Sequence, residues 1–224
     1  MTTIVCVWVQ GNVPYKSEYV FRLRSMVLAQ LSWKHEFVVL TDQPLAVNLP
    51  GIRPIRIPSP NGIPGWWSKL ELFNPQHGLK GPGLYLDLDV LIPSSIDPLF
   101  EYLDEFTLVP HAGNFGGRGK LKVVKRYNSS VMYFDDMAAY SELYTNWSPK
   151  VAGRLWGDQD WIGEQLPWQQ TMPLKWFPRV SQLDLSLGPN NIDPDAKVIL
   201  CKKPKNHELV KTWRWVDRMW NGVQ

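Results

Sequence analysis

The chain is predicted to be an α/β domain on a mostly parallel sheet, and two observations predict it. Short apolar runs alternate with helix-periodic segments through the first half of the sequence. The run Gly83-Leu84-Tyr85-Leu86-Asp87-Leu88-Asp89-Val90-Leu91-Ile92 reads as a buried strand that ends in two carboxylates one residue apart. In open α/β sheets ligands bind at the carboxyl ends of strands, and those two Asp stand at such an end.

Each element has its own warrant. Residues 4–9 form an apolar run and read as the first strand. Residues 17–31 read as a helix, because Val20, Leu23, Val27 and Leu31 recur at helical spacing. Residues 37–40 are a second strand closed by Thr41-Asp42, and 52–57 a short one that Pro54 confines to an edge. Residues 66–73 suggest a helix, followed by the Asp87/Asp89 strand. The second half is more irregular: a strand at 106–109, a Gly-rich loop at 111–120, and a hairpin or two short strands over 122–134 around Tyr127-Asn128-Ser129-Ser130. Helices are expected at 135–147 and from Gly157-Asp158-Gln159-Asp160 to Leu166, then a strand at 198–201 and a terminal helix at 208–220. No internal repeat or domain linker interrupts the sequence, so 1–224 is read as a single domain, with 1–110 the ligand-binding half and 111–224 an irregular half with a closing helix.

Strand side chains alternate faces, so Asp87 and Asp89 are expected to project together. Two like charges on an apolar strand need a cation between them or water around them. The first reading calls for an oxygen-preferring divalent metal, Mg2+ or Mn2+, and hence a phosphate-bearing substrate. The second is a strand running out into solvent.

Composition narrows the class. The formal net charge of +3 argues against a nucleic-acid partner while suiting an anionic substrate. The two cysteines, Cys6 and Cys201, with Cys6 inside an apolar run, argue against a disulfide framework. The first apolar run is too short for a signal peptide and no stretch is long enough to span a bilayer, so a cytoplasmic location is expected. The 12 Trp supply broad faces on which sugar rings stack, though Trp also fills cores. Several motifs fail. Gly116-Gly117-Arg118-Gly119-Lys120 lacks P-loop spacing, with Leu121 where Ser or Thr is needed. No G-x-G-x-x-G follows the first strand, and neither a nucleophile elbow nor a zinc-spaced Cys/His set occurs.

Taken in order, the fragments Thr41-Asp42, Trp67-Ser68-Lys69-Leu70-Glu71-Leu72-Phe73, Tyr85-Leu86-Asp87-Leu88-Asp89, Ile96-Asp97-Pro98-Leu99-Phe100, Tyr127-Asn128-Ser129-Ser130-Val131-Met132 and Gly157-Asp158-Gln159-Asp160 resemble nucleotide-sugar-dependent glycosyltransferases of the GT-A fold, of the glycogenin and bacterial lipopolysaccharide galactosyltransferase type usually called family 8. The resemblance covers most of the chain and implies a Rossmann-type, mostly parallel sheet flanked by helices. It also implies roles. Asp87 and Asp89 would hold Mn2+ or Mg2+ against the donor diphosphate, Asp87 touching the ribose as well. Lys69 would place a charge near that diphosphate. Asn128 and Ser129 would meet sugar hydroxyls, Asp158 the donor-sugar hydroxyls, Gln159 the anomeric carbon, and Asp160 the acceptor. Ordinary structural roles compete for several of these. Lys69 could be a solvated helix lysine, Asn128 a turn residue, Asp158 an N-cap, and Asp160 a helix-dipole partner.

The chain departs from the family near its end. Members usually carry a metal-binding His followed by Gly and then Lys-Pro, whereas here Cys201 stands at the His position and Lys202 at the Gly position. Thiolate suits Mn2+ and Mg2+ poorly. Three explanations stay open. Asp87, Asp89 and water hold the metal; His207 reaches it; or Lys202, Lys203 and Lys205 replace much of its charge on the diphosphate. The first combined with the third is favoured. A base could stack on Trp8, with Tyr15 or Tyr19 beside it. In 208–220, Leu209, Trp213, Val216 and Trp220 form one stripe, with Lys211, Arg214 and Arg218 off it. That basic aromatic helix would either close the domain or rest peripherally on an anionic membrane.

The resemblance therefore implies a metal-dependent hexosyltransferase, donor UDP-linked, acceptor a glycan, glycolipid or protein hydroxyl, with retention of configuration. The alternatives are a non-catalytic nucleotide- or carbohydrate-binding protein of the same fold, supported by Cys201, and a sugar nucleotidyltransferase. The latter is disfavoured because Val9-Gln10-Gly11-Asn12-Val13-Pro14 carries one Gly and no Arg.

Overall fold

The structure is a computed structural model and describes residues 1–10, 15–59, 65–110, 127–167, 169–179 and 192–201. Its strands are β1 (Thr2–Trp8), β2 (His35–Thr41), β3 (Arg53–Arg56), β4 (Gly83–Leu86), β5 (Val90–Leu91), β6 (Thr107–Pro110), β7 (Tyr127–Phe134), β8 (Gln170–Thr171) and β9 (Ile199–Leu200). The α-helices are α1 (Glu18–Gln30), α2 (Pro98–Glu101), α3 (Glu142–Thr145), α4 (Pro149–Arg154) and α5 (Asp158–Gln165). A seven-stranded sheet runs β3-β2-β1-β4-β7-β6-β8, and β5 and β9 form a separate two-stranded sheet. Strands β3, β2, β1 and β4 are parallel neighbours, β7 is antiparallel to β4 and β6, and β8 is parallel to β6.

Period-two alternation feeds two cores. Ile4, Cys6, Phe37, Val39, Leu84 and Leu86 face the layer of α1, where Val20, Leu23 and Val27 cover them. Val5, Val38, Leu40 and Tyr85 face the other layer, under Trp67, Leu70 and Phe73. A sheet covered on both faces by apolar side chains is what parallel strands require. Strand β3 takes the outer place, with Pro54 in it, as expected for a residue that cannot donate to a ladder.

Three expectations need correction. The segment read as an α-helix at 66–73 is a 3-10 helix, Gly65–Phe73. The buried Trp67, Leu70 and Phe73 are spaced by three, which is the 3-10 repeat. The helix expected at 135–147 is a 3-10 turn at Met137–Tyr140 followed by the short α3; the Asp136 carboxylate accepts from Ala138 N–H and starts the first of these. The hairpin placed around Tyr127-Asn128-Ser129-Ser130 is instead one strand with an irregularity. Leu108 pairs with Met132 and Val109 with Asn128, so residues 129–131 bulge out of the β6 ladder. The remainder of that expected hairpin, the 111–120 loop and the helix at 208–220 lie outside the described residues.

Candidate active site

The strand order has a switch point. From β1 the chain builds outward through β2 and β3 on one side and through β4 on the other, leaving a crevice at the carboxyl ends of β1 and β4. A cavity of about 220 Å³ opens there, lined among others by Trp8, Tyr15, Trp66, Lys69, Asp87 and Asp89. It follows that the two carboxylates do face one space. They do so at a turn rather than along one strand: β4 ends at Leu86, Leu88 and Asp89 turn, and the chain re-enters a different sheet as β5. The β4 ladder carries on as far as Asp87, whose N–H donates to Ser130 O at 2.8 Å.

Four elements meet at Lys69. The 3-10 helix brings its buried ammonium to 3.0 Å from Asp87 Oδ1 and 3.3 Å from Asp158 Oδ2. It also donates to Ser129 Oγ at 3.0 Å and to Ser129 O at 3.1 Å. Ser129 reaches it because the bulge in β7 turns its hydroxyl and carbonyl to the same spot, and Ser129 Oγ–H donates to Asp158 Oδ2. The ammonium lies 5.1 Å from the centre of the Tyr85 ring, and the Tyr85 hydroxyl donates to Asp87 Oδ1. Burial alone would lower the Lys69 pKa, but the charges of Asp158 and then Asp87 override it and hold the pKa above the ordinary lysine value. Burial, then the charge of Asp87, drives the Tyr85 phenol well up. Lys69 is therefore a buried tie between two carboxylates rather than a solvated lysine.

Asp89 occupies the other side of the cavity. Only 7% of it is exposed, and Tyr15 O–H donates to Asp89 Oδ2 at 2.7 Å. Burial, and then the charge of Asp87, push its carboxyl up to about 6 despite that hydrogen bond and Lys69. Trp8 Nε1–H donates to Tyr15 O at 3.0 Å and fixes the loop that carries the phenol. At the end of β2, the buried Asp42 accepts from Gln10 N–H and Ser59 Oγ–H, both at 3.0 Å, pinning the loops beside the crevice.

Other expected site residues fall as follows. Asn128 is half-buried and its Oδ1 accepts from Ser130 N–H at 2.8 Å. Gln159 and Asp160 are half-buried in the first turn of α5, and Asp160 Oδ2 accepts from Trp156 N–H at 3.3 Å. Tyr19 is buried behind Tyr15, ring centres 5.0 Å apart and edge to face. Lys202, Lys203, Lys205 and His207 lie outside the described residues. Sequence reasoning missed the hydroxyl of Tyr85, although its position two residues before Asp87 on one strand face was a signal. It also missed the Tyr15–Asp89 contact, which spans 74 residues and leaves no local mark.

Cys201 sits beside Asp89. Strand β9 runs antiparallel to β5 with Leu200 opposite Val90, and the next step of that register sets Cys201 against Asp89. Burial, then the Asp89 charge, drives its thiol well up, and sulfur is a soft donor that suits Mg2+ and Mn2+ poorly. Among the described residues no three His, Cys, Asp or Glu side chains are grouped to hold a metal. Asp87 and Asp89 still fit Mg2+ or Mn2+, an oxygen pair of the kind that binds such ions together with substrate phosphates and water.

No protein-family model and no curated relative matches the sequence. Solved structures of LgtC do match in shape. An active-site mutant of LgtC superposes with a TM-score of 0.67 at 16% identity, over 97% of this chain and 93% of that one. The galactosyltransferase LgtC in complex with donor and acceptor sugar analogues gives 0.63 at 16% identity, over 98% and 99%. The chain has the GT-A fold. The mixed, mostly parallel sheet and its flanking helices make up that fold.

Proposed function

We propose that this chain is a glycosyltransferase that moves a hexose from a nucleotide-sugar donor, UDP-linked, to an acceptor hydroxyl with retention of configuration. The observation that carries the reading is the crevice at the β1/β4 switch point, where Asp87, Asp89, Lys69 and Asp158 meet in one cavity wall or directly beneath it. Asp87 and Asp89 would hold Mn2+ or Mg2+, which, when bound, offsets the charge developing on the departing nucleoside diphosphate. Lys69 fixes Asp87 and Asp158 in one geometry, so that remaining carboxylate lone pairs meet ribose and donor-sugar hydroxyls without reorganisation. Asn128 adds contacts to sugar hydroxyls; Gln159 stands by the anomeric carbon and Asp160 by the acceptor. Lys202, Lys203 and Lys205 neutralise diphosphate oxygens, and Trp8 with Tyr15 borders the base.

Melting the protein with UDP, GDP, CMP and ADP, each with Mn2+ or with EDTA, tests the donor side. A nucleotide that binds only the folded state at ~100 times its Kd adds about 2.7 kcal/mol. UDP is expected to give that shift with Mn2+ and a smaller one in EDTA. Consumption of a UDP-hexose in the presence of Mn2+ tests catalysis. Undiminished turnover by an Asp87→Ala/Asp89→Ala double variant would refute the assigned role of the pair. A nucleotide shift without any turnover would favour a binding protein built on the same fold.

A further inference from the structure

Two phenols reach the acidic wall of the crevice, and each takes one oxygen of one carboxylate. Tyr85 O–H donates to Asp87 Oδ1, the same oxygen that lies 3.0 Å from Lys69 Nζ. Tyr15 O–H donates to Asp89 Oδ2 at 2.7 Å. Both phenols and both carboxylates line one cavity. A buried phenol needs an acceptor, and backbone or water most often supplies it. Tyr127 follows that habit, its hydroxyl meeting the carbonyls of Leu166, Pro167 and Gln169. Tyr85 and Tyr15 point instead at the two side chains that fit a divalent cation.

The phenols come from different parts of the fold. Tyr85 is 2% exposed on β4 and shares a strand face with Asp87. Tyr15 is half-buried ahead of α1, with its carbonyl held by Trp8 Nε1–H and its ring edge to face on Tyr19. The torsion that turns an Asp carboxylate about its Cβ–Cγ bond is broad. A hydrogen bond to one oxygen narrows it, sets the carboxylate plane and leaves the other oxygen for a ligand. Asp87 is held in this way by Lys69 and Tyr85 together. Among the described residues, Tyr15 gives Asp89 its one side-chain hydrogen bond.

We propose, resting on the transferase reading above, that Tyr15 and Tyr85 are positioning residues for the divalent cation. Each hydroxyl orients one carboxylate so that a single oxygen of it is offered to the ion, and neither hydroxyl is itself a ligand. In that reading the Tyr15 ring borders the base, while its hydroxyl serves the cation.

Titrating Mn2+ into the protein and following the EPR signal of the free ion reads metal affinity without any turnover. Removing the hydrogen-bond partner of a metal ligand weakens metal binding by about ten- to a hundredfold. Tyr15→Phe keeps the ring, deletes the hydroxyl and is expected to raise the Mn2+ Kd by such a factor. Tyr85→Phe is expected to raise it less, because Lys69 still holds Asp87 Oδ1. Tyr127→Phe also deletes a buried phenol O–H, and is expected to melt lower while keeping the Mn2+ Kd of the wild type. An unchanged Mn2+ Kd in Tyr15→Phe or Tyr85→Phe, whatever the melting temperature, overturns the proposal. So does an equal loss of Mn2+ affinity in Tyr127→Phe, since general loosening would then account for all three. A wild type that takes up no Mn2+ overturns the proposal and the metal assignment together. If the wild type binds Mn2+, the two variants lose it and no UDP-hexose is consumed, the transferase reading falls and the phenols keep their role.

Discussion

Lys69 offers three N–H donors to four oxygens and sits almost out of water, so its worth lies in what its removal would leave behind. Lys69→Met would strand the buried Asp158 and the half-buried Asp87 with no cation. The expected loss is about 3–5 kcal/mol of stability, read by denaturant unfolding, because breaking one side of a buried ion pair exposes the full desolvation cost of the other. Asp89 behaves in the opposite way. Its carboxyl titrates near 6 in the fold, above its ordinary value of 3.8. Below about pH 4 both folded and unfolded chains hold the proton and this group costs nothing. As pH rises toward 6 the unfolded chain releases it first, and stability contributed by this group is lost and stays lost above that pH. Asp89→Asn is therefore expected to melt higher than the wild type at pH 7 in EDTA, with the advantage shrinking to zero by about pH 4. With Mn2+ and UDP present the order should reverse.

At the scale of elements, β4 is confined on both sides. It lies between β1 and β7, and a Cβ at Gly83 would meet Met137 Sδ at 2.5 Å and Thr3 O at 3.2 Å. Gly83→Ala should destabilise by about 1–3 kcal/mol, as overpacking does. Since the tightest contact is the tip of a flexible side chain, adding Met137→Ala should cost less than the two single losses summed, a coupling that a double-mutant cycle measures. This is also the scale at which the sequence was most and least legible. Strands β1, β2 and β4 and helix α1 could be read because each has an apolar pattern of its own. The 3-10 character of Gly65–Phe73 was in the three-residue spacing of Trp67, Leu70 and Phe73, which a search for the α repeat passes over. The bulge in β7 left no mark, because it depends on where β6 and β4 pair with the strand and not on its own composition.

Across the whole molecule, the site is a product of topology. Lys69, Asp87, Ser129 and Asp158 are spread over 90 positions and converge because β4 and β7 are neighbours while the 3-10 helix and α5 pack on one face of the sheet. The spacing of Asp87 and Asp89 marked them as a pair in the sequence, but their partners could be named only through a resemblance or through the fold. Among the described residues no helix is long and apolar enough to cross a membrane.

The small β5–β9 sheet gives the molecule a property that no single residue has. It joins residues 90–91 to 199–200, and Cys201 closes over Asp89 only when that pairing is made. A ribosome would release β1 through β4 long before β9 emerges. During synthesis, then, the strands of the crevice precede by more than a hundred residues the segment that shields its acidic floor. The pairing that sets Cys201 against Asp89 is therefore made only after the strands of the crevice have been synthesised.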